Sequence, residues 1–205
     1  AIALANITAS GGLTVNTSAS NSNITQAAGS NLTVAGSTSL SAGTGNVTLT
    51  NSNNSLTGQV SVSNATTVNV VNNMAMNVGA VSTTGDLALS TKTGNLTLNG
   101  NLVSTGGNVT VSAGTASAVA NTSVANGNVT GGDVIKGTAT SIAAGTGKTV
   151  TLYSGNANTA SLAALVTNGT TSTLDIICAE RTDNEAKTCA DTFAKDLLAS
   201  LQERE

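Results

Sequence analysis

Two cysteines carry the most distinctive chemistry in this sequence. Cys178 and Cys189 are the only thiols among the 205 residues. A disulfide between them would close a loop of about a dozen residues, contribute up to about 3 kcal/mol, and indicate an oxidising compartment. Two small buried side chains in a reducing compartment are the alternative. A zinc site is disfavoured because the chain has no histidine and no further cysteine.

Acids and bases for catalysis are scarce. The chain has no histidine, the commonest general base, and the range 1–174 contains only Asp86 and Asp133 as acids. A glycosidase or lyase needs two acids close together. If the chain coils at about 20 residues per turn, these two should lie about two turns, or roughly 10 Å, apart. Gly131-Gly132-Asp133 is a fragment of the calcium-binding glycine-aspartate repeat and favours a turn. We predict no catalytic residue, no cofactor and no metal site.

Asparagine sequons are a further set of candidate sites. The Asn-x-Ser/Thr pattern occurs twelve times in the sequence. A chain so rich in Asn, Ser and Thr produces many such matches by composition alone, so glycosylation and chance both remain open. The candidate acceptors are Asn31, Asn46, Asn95 and Asn108.

Short apolar triplets define the elements that must position these residues. Leu87-Ala88-Leu89, Leu96-Thr97-Leu98 and Val109-Thr110-Val111 each have two apolar residues around a small or polar one. This alternation is typical of a minimal β-strand, with the outer two residues on one face. Gly and Asn separate the triplets, and we expect them to supply the positive φ that tight corners require.

The triplets recur at a nearly constant interval. The series is Val47, Val68, Leu87, Val109, Val129 and Val150. Leu13 and Leu32 have a similar spacing and extend it. A period near 20 with two or three short strands predicts one turn of a parallel β-helix. Residues 112–148 fit the period least well, and we expect a loop excursion or an extra hairpin there.

The composition agrees with a narrow coil. Only 1% of the residues are aromatic and 8% are charged, and Pro and Trp are absent. An ordinary globular domain has about 25% charged residues and aromatics that fill a wide core. Stacked turns instead bury ladders of Val, Leu, Ile and Ala, and leave Thr and Ser outside. Disorder is the alternative for such a composition, but regularly spaced β-branched residues argue against it.

Charge divides the chain into two predicted domains. Residues 1–174 contain five charged side chains, whereas residues 175–205 contain twelve. We assign the first range to the repeat body and the second to a cap or anchor. The body has no basic patch, so no nucleic-acid partner is predicted. No apolar run approaches the roughly 20 residues of a membrane span, and no signal peptide begins the sequence, which we interpret as a fragment or mature piece.

The C-terminal part of the sequence predicts a strand followed by a helix. Residues 174–178 are apolar enough for a final strand, and Thr182-Asp183-Asn184-Glu185 matches a helix capping box. From about Asp183 to Leu201, apolar residues recur on one helical face. We expect this amphipathic α-helix to cap the open end of the coil, pinned by the disulfide.

The repeats resemble those of a known family. Gly94-Asn95-Leu96-Thr97-Leu98-Asn99-Gly100, with Gly45-Asn46-Val47-Thr48-Leu49 and a related run at 107–111, resembles repeats of the filamentous-haemagglutinin-like exoproteins of bacterial two-partner secretion. The cysteine pair near the C-terminus is similar to that of the high-molecular-weight adhesins in this group. The resemblance covers most of residues 1–174. The N-terminal secretion domain is absent, and the tail after Cys189 is longer than a simple plug requires.

The resemblance implies a function and a location. It implies a right-handed parallel β-helix that serves as a non-enzymatic adhesin stalk on the bacterial cell surface. Cys178 and Cys189 would close a terminal loop that is retained at an outer-membrane β-barrel secretion partner. More distal regions would bind a receptor on a host or neighbouring cell, and some sequons would be glycosylated.

Two other classes of function remain open at this stage. One is a self-assembling extracellular subunit of a surface layer or matrix fibre, whose coils stack end to end. The other is a β-helical carbohydrate-active enzyme, which would need an acidic groove.

Overall fold

A computed structural model describes residues 1–114, 132–154 and 164–166, and the backbone of residues 173–178. Nineteen β-strands and one short 3-10 helix make up the regular structure of these ranges. The strands are β1 Ile2–Leu4, β2 Ile7–Ala9, β3 Leu13–Asn16, β4 Ile24–Gln26, β5 Leu32–Val34, β6 Thr38–Ser41, β7 Val47–Leu49, β8 Ser55–Leu56, β9 Gln59–Ala65, β10 Val68–Asn72, β11 Met76–Thr83, β12 Leu87–Thr91, β13 Leu96–Leu98, β14 Leu102–Ser104, β15 Val109–Ser112, β16 Val134–Lys136, β17 Ile142–Ala143, β18 Thr149–Ser154 and β19 Thr173–Cys178. The 3-10 helix is Ser18–Ser20.

All strand pairs in the described ranges are parallel, and they form three sheets. The first sheet has the order β1-β4-β7-β10-β12-β15-β18-β19. The second runs β16-β13-β11-β9-β6-β3, with β14 paired to β11 and β17 paired to β14. The third is β2-β5-β8. Each circuit of the chain adds strands on top of those of the previous circuit, which is the architecture of a parallel β-solenoid. The prediction of an all-β parallel coil is confirmed at this level.

The register of the first sheet confirms part of the predicted period. Val68 pairs with Val47 on one side and with Leu87 on the other, and Leu87 pairs with Val109. The next partner of Val109 is Val150. Val129 therefore does not stack between Val109 and Val150, and its place in the predicted series is wrong. The circuit from Val109 is about twice as long as the others because residues 113–133 intervene before the second sheet resumes at β16.

The predicted step from Leu13 to Leu32 is also wrong. Leu13 pairs with Thr38 in the second sheet, whereas Leu32 pairs with Ile7 in the third sheet. Both leucines begin an apolar triplet of similar composition, and composition alone does not assign a triplet to a sheet. The three sheets are separated only by corner residues, so only the pairing decides which triplets stack.

The core is a narrow column of aliphatic side chains. Leu87 and Leu89 of β12 are 1% exposed, while Ala88 between them is half-buried on the outer face. The same pattern recurs in β13, where Leu96 and Leu98 are buried and Thr97 is half-buried. Like residues stack on like residues through successive circuits, so the core needs no large aromatic side chain.

Glycine is needed at the corners for two separate reasons. Gly94 has a φ of 78°, the left-handed conformation expected for a tight corner. Gly100 and Gly107 do not have a positive φ. A Cβ on Gly100 would overlap the backbone of Ala80, and one on Gly107 would overlap the backbone of Gly85. At these two positions, the close approach of successive circuits excludes a side chain, which corrects the expectation of positive φ there.

The predicted final strand is present as β19, which pairs with β18 from Thr173 to Cys178. The amphipathic helix predicted at about 183–201 lies outside the described residues. No helix within the described ranges is both long enough and apolar enough to cross a membrane.

Candidate functional site

Cys178 ends the first sheet. Its backbone pairs with Ser154 in the last register position of β19 and β18. Cys189 lies outside the described residues, as does most of the predicted anchor domain at 175–205. The disulfide between Cys178 and Cys189 therefore stays a prediction.

The two acids of the body lie at different corners of the coil. Asp86 directly precedes β12 of the first sheet, and its Oδ1 accepts a hydrogen bond from the backbone N–H of Asn108 at 2.8 Å. Asp133 directly precedes β16 of the second sheet, and its backbone N–H donates to Oδ1 of Asn95 at 3.0 Å. Asp86 and Asp133 thus precede strands of different sheets, and each has a different neighbour. Within the described ranges, no three His, Cys, Asp or Glu residues lie close enough to hold a metal ion.

At the corner before the first sheet, side-chain oxygens of successive circuits accept hydrogen bonds from backbone N–H groups. We call this set the asparagine ladder, and its acceptors are Asn23, Asn46, Asp86 and Asn108. The backbone N–H of Asn46 donates to Oδ1 of Asn23 at 2.9 Å, and the N–H of Thr149 donates to Oδ1 of Asn108 at 3.1 Å. Each side chain thus binds a backbone donor of the next circuit, where the chain turns and strand pairing is interrupted.

The corners before the other two sheets have the same kind of hydrogen bond, from a backbone N–H to an asparagine Oδ1. Oδ1 of Asn6 accepts from the N–H of Asn31 at 2.7 Å, ahead of the third sheet. Oδ1 of Asn101 accepts from the N–H groups of Thr140 and Ser141 at 2.9 and 3.1 Å, ahead of β17. Corner asparagines thus accept hydrogen bonds from backbone groups at these positions. Of the described asparagines, only Asn21 has a positive φ, at 49°.

A buried amide cluster lies between the first and third sheets, and the sequence analysis missed it. Asn54 is fully buried, and its Oδ1 accepts from the backbone N–H of Leu32 at 3.1 Å. Asn72 is also fully buried, and its Oδ1 accepts from the N–H of Leu56 at 2.8 Å. These amides take the place of a backbone acceptor at the start of β5 and at the end of β8, which explains why polar side chains are tolerated in the core.

Gln26 completes this cluster. Its Nε2 donates to Oδ1 of Asn54 at 2.6 Å, and Nδ2 of Asn54 donates back to its Oε1 at 3.0 Å. A signal for the cluster existed in the sequence, since Gln26 stands in the third position of Ile24-Thr25-Gln26, where the other triplets have an apolar residue, and Asn72 ends the apolar run at 68–72. In a chain rich in asparagine, that signal cannot be distinguished from an ordinary corner.

The four candidate glycosylation sites differ in how their amide groups are used. Asn31 is exposed, and its side chain makes no hydrogen bond with the described residues. Asn46 and Asn95 are half-buried, and each accepts a backbone N–H through Oδ1 while Nδ2 stays available. Asn108 is exposed, but its Nδ2 donates to Oδ1 of Asp86 at 3.3 Å. Since the glycan is attached to Nδ2, Asn31 is the most accessible of the four in the folded coil.

Comparison with known proteins finds a family match over the first part of the chain. Residues 1–63 match a family model described as repeats of unknown function (DUF5649). These residues contain all three strands of the third sheet. No curated protein and no solved structure is significantly similar to the chain.

Proposed function

We propose that this chain is a stalk segment of a non-enzymatic bacterial adhesin, exposed at the cell surface. The observation that carries the proposal is the uninterrupted parallel ladder of the first sheet, from Ile2 to Cys178. Eight strands in one direction at about 4.8 Å per step give a sheet about 34 Å tall. Because successive circuits pair through the strands of the first and second sheets, bending the coil breaks backbone hydrogen bonds, and the segment acts as a stiff spacer.

The outer faces of the coil support a spacer rather than a catalyst. In the first sheet, the outward positions of successive circuits are Thr25, Thr48, Asn69, Ala88 and Thr110. These short side chains form a smooth wall without the clustered acids and bases that catalysis on a solenoid requires. The acids Asp86 and Asp133 each lie at a separate corner.

The finer features of the proposal come from the sequence pattern and from the resemblance. The coil is right-handed, the helix at about 183–201 caps its end, and a Cys178–Cys189 disulfide closes the terminal anchor. The anchor is retained in an outer-membrane β-barrel secretion partner, and regions farther along the full-length protein bind a receptor. Glycosylation of sequons is part of the same proposal, with Asn31 the preferred acceptor.

The experiment that tests the anchor compares three forms of the protein on the surface of its native host. The variants Cys178→Ser and Cys189→Ser each remove one thiol, and the control Ala190→Ser changes the neighbouring residue but keeps both. We expect both cysteine variants to be shed into the medium and the control to be retained. Equal surface retention of all three forms would overturn the anchor.

Intact-mass measurement of the same material tests the disulfide and the glycans directly. We expect both thiols to resist alkylation before reduction and to react after it. Added hexose masses would support sequon glycosylation, and loss of that mass in Asn31→Gln would locate it. Two free thiols and an unmodified mass would contradict both proposals.

A self-assembling extracellular subunit is the second candidate. The observation that favours it is the uncharged first part of the chain, since no charged side chain precedes Asp86. Electron microscopy of the purified chain separates the two candidates: long filaments support the subunit, and short separate rods support the stalk.

A further inference from the structure

The third sheet ends in the middle of the coil. Among the described residues β8 is its last strand, although the chain continues through β9, β10 and β11 in the range 1–114. In the third circuit, residues 50–58 separate β7 from β9, and two of them form β8. In the fourth circuit, only residues 73–75 separate β10 from β11, so the chain passes from the first sheet to the second without a third-sheet strand. This strand edge therefore arises inside the continuous coil.

Leu56 carries the backbone groups that a further strand of the third sheet would bind. The N–H of Thr57 donates to the carbonyl of Val34 in β5 at 3.0 Å, so Thr57 faces the neighbouring strand. Successive residues of a strand alternate between its two edges, which turns the N–H and C=O of Leu56 toward the opposite edge. Because Leu56 is fully buried, these two groups need hydrogen-bond partners within the protein.

The side-chain amide of Asn72 binds both of these groups. Its Oδ1 accepts from the N–H of Leu56 at 2.8 Å, and its Nδ2 donates to the carbonyl of Leu56 at 3.3 Å. A neighbouring parallel strand would supply one carbonyl and one N–H to such a residue, and here a single amide supplies both. Nδ2 also donates to the carbonyls of Met74 and Ala75 at 3.1 Å each, which holds the side chain against β8.

Asn54 has the same kind of bond in a different place. It is also fully buried, and its Oδ1 accepts from the N–H of Leu32 in β5 at 3.1 Å. However, β5 is already paired on both sides, with β2 and β8. Asn54 therefore completes a junction inside the third sheet, whereas Asn72 lies at its last described strand.

We propose that Asn72 is an edge cap that ends the third sheet and prevents β8 from pairing with a strand of another chain. Natural proteins often protect strand edges with charged residues or proline. The chain has no proline, and residues 1–85 have no charged side chain, so the amide takes over this role. The family match agrees with this position, since residues 1–63 contain every strand of the third sheet and Asn72 lies beyond them. The edge cap is independent of the adhesin function, so either can fail without the other.

Asn72→Ala and Asn54→Ala form a matched pair for the test. Each removes one fully buried amide, but only the first uncovers a sheet edge. In hydrogen exchange followed by NMR, we expect the amide hydrogen of Leu56 to exchange about ten to a hundred times faster in Asn72→Ala than in the wild type. In analytical ultracentrifugation over a range of concentrations, we expect the self-association constant to rise about tenfold for Asn72→Ala and to stay unchanged for Asn54→Ala.

A second variant, Asn72→Thr, keeps the test informative if the alanine variant does not fold. Thr91 occupies the paired position of the next circuit and is also fully buried, so the coil accommodates threonine at this corner. One hydroxyl cannot replace both bonds to Leu56, and we expect the same two effects. Circular dichroism checks that each variant keeps its β-structure. Unchanged exchange at Leu56 would overturn the cap. Equal association of the Asn72 and Asn54 variants, or no added association in either, would overturn its role in protecting the edge.

Discussion

At the scale of single residues, this coil depends on polar side chains placed where backbone pairing stops. Asn54 and Asn72 supply acceptors to buried N–H groups, and Asn108 does so at an exposed corner. A buried donor left without a partner costs about 1–3 kcal/mol, so these amides have a structural reason to be where they are. Two side-chain oxygens are exceptions among the described residues, Oγ1 of Thr38 and Oδ1 of Asn69, because they are buried without a hydrogen-bond partner. Thr38 itself is 1% exposed.

The variant Thr38→Val should stabilise the protein. It replaces the unpaired hydroxyl with a methyl group of similar size, between Leu13 and Val60 in the second sheet. We expect the free energy of unfolding in urea to rise by about 1 kcal/mol. Thr97→Val makes the same change on the half-buried outer face and should have little effect. Destabilisation by Thr38→Val would mean that the hydroxyl has a partner in solution.

At the scale of elements, strand pairing is present on both sides of residues 115–131. β15 pairs directly with β18, and β13 pairs directly with β16. The two ends of the range also meet, since a Cβ on Gly132 would lie 2.7 Å from the backbone nitrogen of Gly114. The pairing on both sides of the long circuit is therefore continuous.

Replacing residues 115–131 by a Gly-Ser linker should preserve the coil. The pairings that flank the range stay in place, and shortening a loop lowers its closure entropy only slightly. We expect the urea midpoint and the cooperativity of unfolding to change little. As a control, an equal number of residues removed from 87–103 eliminates β12, β13 and most of β14 and should abolish cooperative unfolding. Loss of cooperativity in the linker variant would show that the coil needs residues 115–131.

At the scale of the whole molecule, the coil is a stack in which each circuit contacts only its neighbours. Interior circuits pair on both sides, while the circuit of β1, β2 and β3 pairs with described strands on one side. Exposure of inward leucines in the first sheet follows this difference: Leu89 is 1% exposed and Leu4 is 6% exposed. The cost of losing a core side chain should therefore depend on its position along the stack.

Leu89→Ala and Leu4→Ala form a matched pair for this expectation. Leu89 has first-sheet partners on both sides, Val70 and Val111, and its removal should cost about 2–5 kcal/mol of unfolding free energy. Leu4 has a partner on one side only, Gln26, and its replacement should cost clearly less because the end circuit can relax. Urea denaturation of both variants at a concentration where the chain is monomeric gives the comparison. Equal costs would contradict a nearest-neighbour stack.

The sequence by itself determined the class of this fold. Its regularly spaced apolar triplets predicted short parallel strands, and Val47, Val68, Leu87 and Val109 do stack. The scarcity of aromatic and charged residues predicted a narrow aliphatic core. These features follow from local alternation and spacing, which a sequence records directly.

Only the tertiary structure decided which triplets stack and why particular polar residues are needed. Leu13 and Leu32 look equivalent in sequence but belong to different sheets, and Val150 follows Val109 directly. Asn54 and Gly107 owe their identities to neighbours in adjacent circuits, a full turn of the coil away along the chain. Contacts of this kind arise when circuits stack at about 4.8 Å, and in a chain built from so few residue types many registers satisfy the same local pattern.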